Sequence, residues 1–226
     1  MEQHFKEIAG LVGDPVRATI MWTLLDGKAF TATELAMAAG TSASNISMHL
    51  AKLVQADLLS VENQGRHRYY KFSRKEIAYA IEAMSTLVPW SPKNRHPVDE
   101  TTPAIQQCRT CYDHLAGKTG VAITGSLLKQ KLIIAGDQQF DLSPKGRKWF
   151  FGMGIDIAAL QQQRRSFLRP CLDWSERRYH MAGSLAAALL DKMLLQDWIR
   201  KTRNSRAVIF TAKGQKMLYE YLKVTV

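Results

Sequence analysis

Residues 31–72 constrain this chain most, because they read as a helix-turn-helix followed by a β-hairpin wing. Thr31-Ala32-Thr33-Glu34 has the form of a capping box, in which the Thr31 hydroxyl accepts from the Glu34 amide and the Glu34 carboxylate reaches back. The helix it opens runs to Ala39 and stops at Gly40, a residue that tolerates positive φ. Ser42 then caps a second helix, to about Gln55. Ile46, Leu50, Leu53 and Val54 share one face, which packs on the first helix. The opposite face carries Asn45, Met48 and Lys52, with Ser44 beside them and Ser47 and His49 on the flanks. A solvated helix face commonly mixes Glu with Lys. This one is polar but nearly uncharged, which suits hydrogen bonding to base edges in a major groove. Extended segments at 60–63 and 67–72 meet around Gly65, and the return strand reads Arg66-His67-Arg68-Tyr69-Tyr70-Lys71. Cations interleaved with aromatics there suit a phosphate backbone or a minor groove, or else form a solvated basic edge.

The order of these motifs resembles the ArsR/SmtB family of bacterial repressors over residues 1–88. The resemblance is carried by Gly13-Asp14-Pro15-Val16-Arg17, Glu34-Leu35-Ala36, Ser44-Asn45-Ile46-Ser47-Met48-His49-Leu50, and Gly65-Arg66 through Tyr69-Tyr70. It implies a winged helix that binds double-stranded operator DNA as a homodimer, pairing its first and last helices with a second subunit. DNA contact is then expected from Ser42, Ser44, Asn45, Ser47, Met48, His49 and Lys52 on the second helix, and from Arg66, His67 and Arg68 on the wing. In metal-sensing members, cysteines sit in the first helix of the helix-turn-helix. Here Glu34-Leu35-Ala36-Met37-Ala38-Ala39 has none, and the closing helix at 75–88 has no His to complete a zinc site. A signal is therefore expected elsewhere in the chain.

Charge qualifies this reading. The net charge is +11 over 226 residues, which favours a polyanionic partner. Residues 1–90 nevertheless hold nine Lys/Arg and nine Asp/Glu, whereas residues 91–226 hold 22 and 11. The excess thus lies outside the helix-turn-helix and is no argument for it. Met1-Glu2-Gln3-His4 lacks the basic and apolar regions of a secretory signal, no apolar run approaches bilayer length, and three cysteines make no disulfide framework. A cytoplasmic protein without a membrane partner is expected.

Before the helix-turn-helix, Phe5, Ile8, Ala9 and Val12 recur at helical spacing, and Asp14-Pro15 begins a second helix with Val16, Ile20 and Leu24 on its buried stripe. After the wing, Ser73-Arg74-Lys75-Glu76 opens a helix with Ile77, Ile81, Met84 and Val88 in line, suited to a second subunit or to the chain's own second domain. The expected division is a winged-helix domain at 1–90, a proline-bearing linker at 91–103 and a C-terminal sensing domain at 104–226.

The C-terminal domain reads as duplicated, with copies at about 104–155 and 170–226. His114-Leu115-Ala116-Gly117 recurs as His180-Met181-Ala182-Gly183, and Leu142-Ser143-Pro144-Lys145-Gly146 as Phe210-Thr211-Ala212-Lys213-Gly214. Each copy reads as helix, helix, two short strands, helix, the order of a winged helix. A helix is expected between the copies, ending in Arg164-Arg165. The fold class is therefore mainly α with small β-hairpins.

Two constellations could receive a signal. Cys108-x-x-Cys111-x-x-His114, read as one helical face, could hold Zn²⁺ with Cys171 and His180 from the second copy. The same thiols could act as a redox switch, or the cysteines could be core packing. Arg164, Arg165, Arg169, Arg177 and Arg178 surround Trp174, and could bind an anionic small molecule, add DNA contacts, or stand solvated. There is no glycine-rich phosphate loop and no nucleophile elbow, so an enzyme is not expected. The function expected is that of a homodimeric, DNA-binding repressor modulated through its C-terminal domain. The alternatives are an architectural protein without specific DNA readout and an enzyme activity in the C-terminal half.

Overall fold

A computed structural model describes residues 1–85, 87, 104–137, 139–202 and 205–226. It divides into two compact units, Met1–Ser85 and Thr86–Val226. The stretch read as a linker lies wholly outside the described residues, as does Val88. Among the described residues no single helix is long and apolar enough to cross a membrane.

The first unit is a winged helix. Helices α1 (Glu2–Val12) and α2 (Pro15–Thr23) precede a short strand β1 (Phe30–Thr31), the pair α3 (Ala32–Ala38) and α4 (Ala43–Gln55), the wing strands β2 (Leu59–Gln64) and β3 (His67–Phe72), and α5 (Lys75–Ser85). The caps explain the starts. Asp14 accepts from the Arg17 amide with Pro15 at the first position of α2, Thr31 and Glu34 form the reciprocal capping box of α3, and Ser42 accepts from the Asn45 amide in α4. The three-stranded sheet has the order β1-β3-β2, all antiparallel, so β1 anchors the wing to the start of α3. Ile20, Met21, Leu35, Ile46, Leu50 and Leu53 are fully buried and hold the helices together, each contributing about 1.5–3 kcal/mol. The stripe expected to leave α5 for a partner is divided. Ile77 and Ile81 are buried in this unit's own core, whereas Met84 is exposed.

The second unit is mainly helical, with four two-stranded hairpins among the described residues. A short helix α6 (Ala104–Gln107) leads into hairpin β4 (Arg109–Cys111) and β5 (His114–Ala116), helix α7 (Gly117–Lys129), hairpin β6 (Ile133–Ala135) and β7 (Phe140–Leu142), and helices α8 (Pro144–Gly152) and α9 (Ile157–Gln161). The second copy repeats the pattern with β8 (Arg169–Leu172), β9 (Tyr179–Ala182), α10 (Ser184–Leu195), β10 (Ile199–Lys201), β11 (Val208–Phe210) and α11 (Ala212–Leu222). In each copy a hairpin thus precedes the long helix, at a place where the sequence was read as a helix. Tyr112 and Asp113 form the turn of the first, with Tyr112 at φ 62°, and Cys111 pairs across it with His114. The helix read between the copies is also shorter: α9 ends at Gln161, and Arg164-Arg165 follow it outside regular structure.

The winged-helix character of both copies shows in a shared junction. Asp57 after α4, Lys131 after α7 and Asp197 after α10 all take left-handed φ, at 55°, 56° and 55°. The next amides, of Leu58, Leu132 and Trp198, donate back to Leu53, Leu127 and Met193. At the far end of each wing the hydroxyls of Ser73, Ser143 and Thr211 donate to the carbonyls of Asp57, Lys131 and Asp197. One local design therefore occurs in the N-terminal unit and twice in the C-terminal one. Its uses differ. Helix α7 buries Thr119, Gly120, Val121, Ile123, Thr124 and Leu127, and α10 buries Leu185, Ala186, Leu189, Leu190 and Met193. Each copy's helix packs on the other copy's hairpin, α7 on β9 and α10 on β5. What they leave exposed is Lys118 and Lys129 on α7 and Asp191 and Leu195 on α10.

Candidate functional site

The DNA-reading face expected on α4 is largely open. Ser44, Ser47, Met48 and Lys52 are exposed and Asn45 is half-buried. Ser47 Oγ donates to the Ala43 carbonyl and Asn45 Nδ2 to Thr41 Oγ1 at 2.7 Å, so both side chains are oriented before any ligand arrives. Ser42 is engaged as the cap. His49 departs from the reading. It is only 8% exposed, with Nδ1 3.4 Å from Asp14 Oδ1, because its place on the flank of α4 turns it toward the start of α2. It braces the helix pair instead of facing outward. Asp14 is held below the usual carboxylate range chiefly by the Arg17 amide, against the opposing effect of burial. On the wing, Arg66, His67 and Arg68 are exposed around Gly65, whose φ of 59° makes the turn.

The second feature is a cluster in the C-terminal unit. One donor atom each from Cys111, His114, Cys171 and His180 lies within 4.8 Å of the others. Hairpin pairing positions them. Cys111 is the cross-strand partner of His114, and Cys171 of His180, so each ribbon projects a thiol and an imidazole on one side. β5 lies beside β9. Gly120 permits the close approach of α7, since a Cβ there would stand 2.6 Å from the Leu115 carbonyl oxygen. The Met181 amide donates to Thr124 Oγ1 at 2.8 Å and fixes β9 on the same helix. Both imidazoles are buried and both thiols are half-buried.

Cys108 is not in this cluster, although the sequence placed it with Cys111 and His114 on one helical face. It precedes the hairpin and is buried in the apolar core, where burial pushes its thiol up to about 12. Cys171 shifts the other way. Donation from the Cys111 thiol, reinforced by His114 and His180, outweighs burial and holds its thiol well below the ordinary value.

The histidines have carboxylates behind them. Asp113 Oδ1 lies 3.4 Å from His114 Nδ1, and Asp173 Oδ2 lies 3.2 Å from His180 Nδ1. The latter contact is close but makes no well-aligned hydrogen bond. Asp173 is fully buried and accepts from Arg109 Nη2, from the Gly117 amide at 2.6 Å, and from the Ser175 and Glu176 amides. Burial would raise its carboxyl, but His180, Arg109 and these amides together hold it far below the usual range. Burial alone would lower His180, and its contacts to Asp173 and Cys171 raise it instead. Asp113 is likewise held low, against burial, by His114 and by an ion pair with Arg165.

The arginines expected around Trp174 differ in their surroundings. Arg165 is engaged with Asp113, while Arg164, Arg169 and Arg178 are exposed and Arg177 is half-buried in the β8–β9 loop. The cation over Trp174 is Arg109, 4.6 Å from the ring centroid. Arg109, Asp113 and Asp173 are thus the residues that sequence reasoning missed. The signal available was weak: each stands next to or within two residues of a candidate ligand.

Residues 12–62 match a family described as a helix-turn-helix domain. Over all 226 residues the chain is 37% identical to the uncharacterized HTH-type transcriptional regulator YdfF of Bacillus subtilis, covering 100% of both chains. Over 75 residues it is 30% identical to the HTH-type transcriptional regulator KmtR of Mycobacterium tuberculosis, covering 33% of this chain and 57% of the other. A solved structure of the homodimeric winged helix-turn-helix DNA-binding domain of Mb0332 from Mycobacterium bovis, described as a possible ArsR-family regulator, is 18% identical with a TM-score of 0.34, covering 36% of this chain and 75% of that one. The chain belongs to the HTH-type transcriptional regulators, and the matched helix-turn-helix lies in its N-terminal unit.

Proposed function

We propose that the protein is a homodimeric repressor that reads operator DNA with α4 and grips the flanking backbone with its wing. The observation that carries this reading is the open, uncharged polar face of α4 beside an exposed basic wing tip. Ser44, Asn45, Ser47 and Met48 are the base-reading candidates, with Lys52, Arg66, His67 and Arg68 near the phosphates. Exposed Phe5 on α1, with Met84 near the end of α5, supplies an apolar surface for a second copy of the domain. In this reading the C-terminal unit modulates operator binding, supported by its buried cluster of thiols, imidazoles and paired charges.

The test begins by enriching a bound duplex from a random pool with the full chain. Ser47→Asp places a carboxylate on the reading face without touching the core, and should abolish binding to the enriched duplex. Arg66→Ala should weaken specific and random DNA alike and lower the salt slope by about one unit. No enriched sequence, or unchanged binding by both variants, would refute the assignment.

A further inference from the structure

The donor set, its geometry and its surroundings converge on one ligand class. In each imidazole the Nδ1 side faces a carboxylate, which favours the tautomer with the proton on Nδ1 and leaves the lone pair on Nε2. The two Nε2 atoms stand 3.1 Å apart in a buried setting. Two lone pairs at that distance repel unless a proton or a metal cation lies between them. Tetrahedral Zn²⁺, with Zn–N distances of about 2.0–2.1 Å, would hold two nitrogens about 3.3 Å apart. Two sulfurs complete the coordination from the same two hairpins, and mixed thiolate and imidazole donors suit Zn²⁺ better than hard cations that prefer oxygen.

We propose that Cys111, His114, Cys171 and His180 form a tetrahedral Zn²⁺ site that clamps the two copies of the C-terminal unit together. Asp113 and Asp173 orient the imidazoles, and are themselves held by Arg165 and Arg109. Four protein ligands leave no open position for a substrate, so the site ties hairpin to hairpin and performs no hydrolysis. Loading displaces any protons carried by the two sulfurs into solvent. The proposal rests on the C-terminal unit alone and stands apart from the DNA-reading assignment.

The test uses the full chain, stripped with chelator under reducing conditions and titrated with Zn²⁺ or Co²⁺. One equivalent per chain is expected, with tetrahedral visible absorption and thiolate-to-cobalt charge transfer, and X-ray absorption should count two sulfur and two nitrogen neighbours. Cys171→Ser should remove about half of the charge transfer, while Cys108→Ala should leave the spectrum intact. Because a ligand variant could fail to fold, Asp113→Asn supplies a milder probe: metal affinity should fall about 10–100-fold while the circular dichroism of the folded chain is unchanged. Absence of stoichiometric binding, a six-coordinate spectrum, a Cys111–Cys171 disulfide in the protein as isolated, or loss of the spectrum in Cys108→Ala would each overturn the proposal.

Discussion

Arg109 and Asp173, 64 residues apart in sequence, form a buried ion pair in which Nη2 donates to both carboxylate oxygens, at 3.2 and 3.1 Å. Removing one member leaves the other charged and enclosed. Asp173→Ala is expected to destabilise the C-terminal unit by about 3–5 kcal/mol. Replacing both members by apolar residues of similar size should cost much less. Urea unfolding of the single and double variants, each with and without chelator, checks this. Equal losses in both would mean that packing, and not charge pairing, holds the hairpins.

The two copies share a close approach that only glycine permits. A Cβ on Gly146 would lie 1.9 Å from the Leu132 carbonyl oxygen, and one on Gly214 1.8 Å from that of Trp198. Both obstacles are backbone, so the helix must shift. Gly146→Ala and Gly214→Ala should each destabilise by about 1–3 kcal/mol or more. Gly125, inside α7, provides the contrast, because a Cβ added there would meet nothing within 4 Å. Gly125→Ala should stabilise by about 0.5–1 kcal/mol. Thermal unfolding separates the two outcomes.

Cysteine reactivity should divide by position. With the Cys108 thiol pushed up to about 12, only about one molecule in 10⁴ carries its thiolate at pH 8. Cys108 should therefore resist iodoacetamide in the folded, metal-free chain while half-buried Cys171, whose thiol is held low, is labelled first. Raising the pH should speed the Cys108 reaction, since the thiolate fraction grows about tenfold per unit. Peptide mass spectrometry after timed labelling measures the order, and prompt labelling of Cys108 in folded protein would contradict its burial.

Assembly through α1 and α5 predicts a selective response to charge. Phe5 is 70% exposed and Met84 48%, so Phe5→Asp and Met84→Asp should yield folded monomers with weakened operator binding. Ile81→Glu should instead unfold the domain, because Ile81 lies in its own core. Sedimentation velocity with circular dichroism distinguishes these results. A wild-type chain that is monomeric at micromolar concentration and still binds its operator tightly would exclude the dimer.

The helix-turn-helix was legible in the sequence because its determinants are local. The Thr31 and Glu34 cap, the Ser42 cap, the turn at Gly65 and the stripe of Ile46, Leu50 and Leu53 each depend on residues a few positions apart. The recurrence of His-Leu-Ala-Gly as His-Met-Ala-Gly likewise marked two copies without any coordinates. Tertiary structure decided the rest. Cys111 and His114 are three residues apart, a spacing that fits one helical face and equally a two-residue hairpin turn; strand pairing, and the neighbouring contact of β4 with Arg206 and Ala207, settled it as a hairpin. His49 left the reading face because Asp14, far away in sequence, stands beside it. Arg109 meets Trp174 and Asp173 across the junction where α7 packs on β9 and α10 on β5. Periodicity and capping act within a turn of helix, whereas the meeting of buried charges and sulfur ligands depends on which surfaces exclude water together, and that is a property of the folded chain.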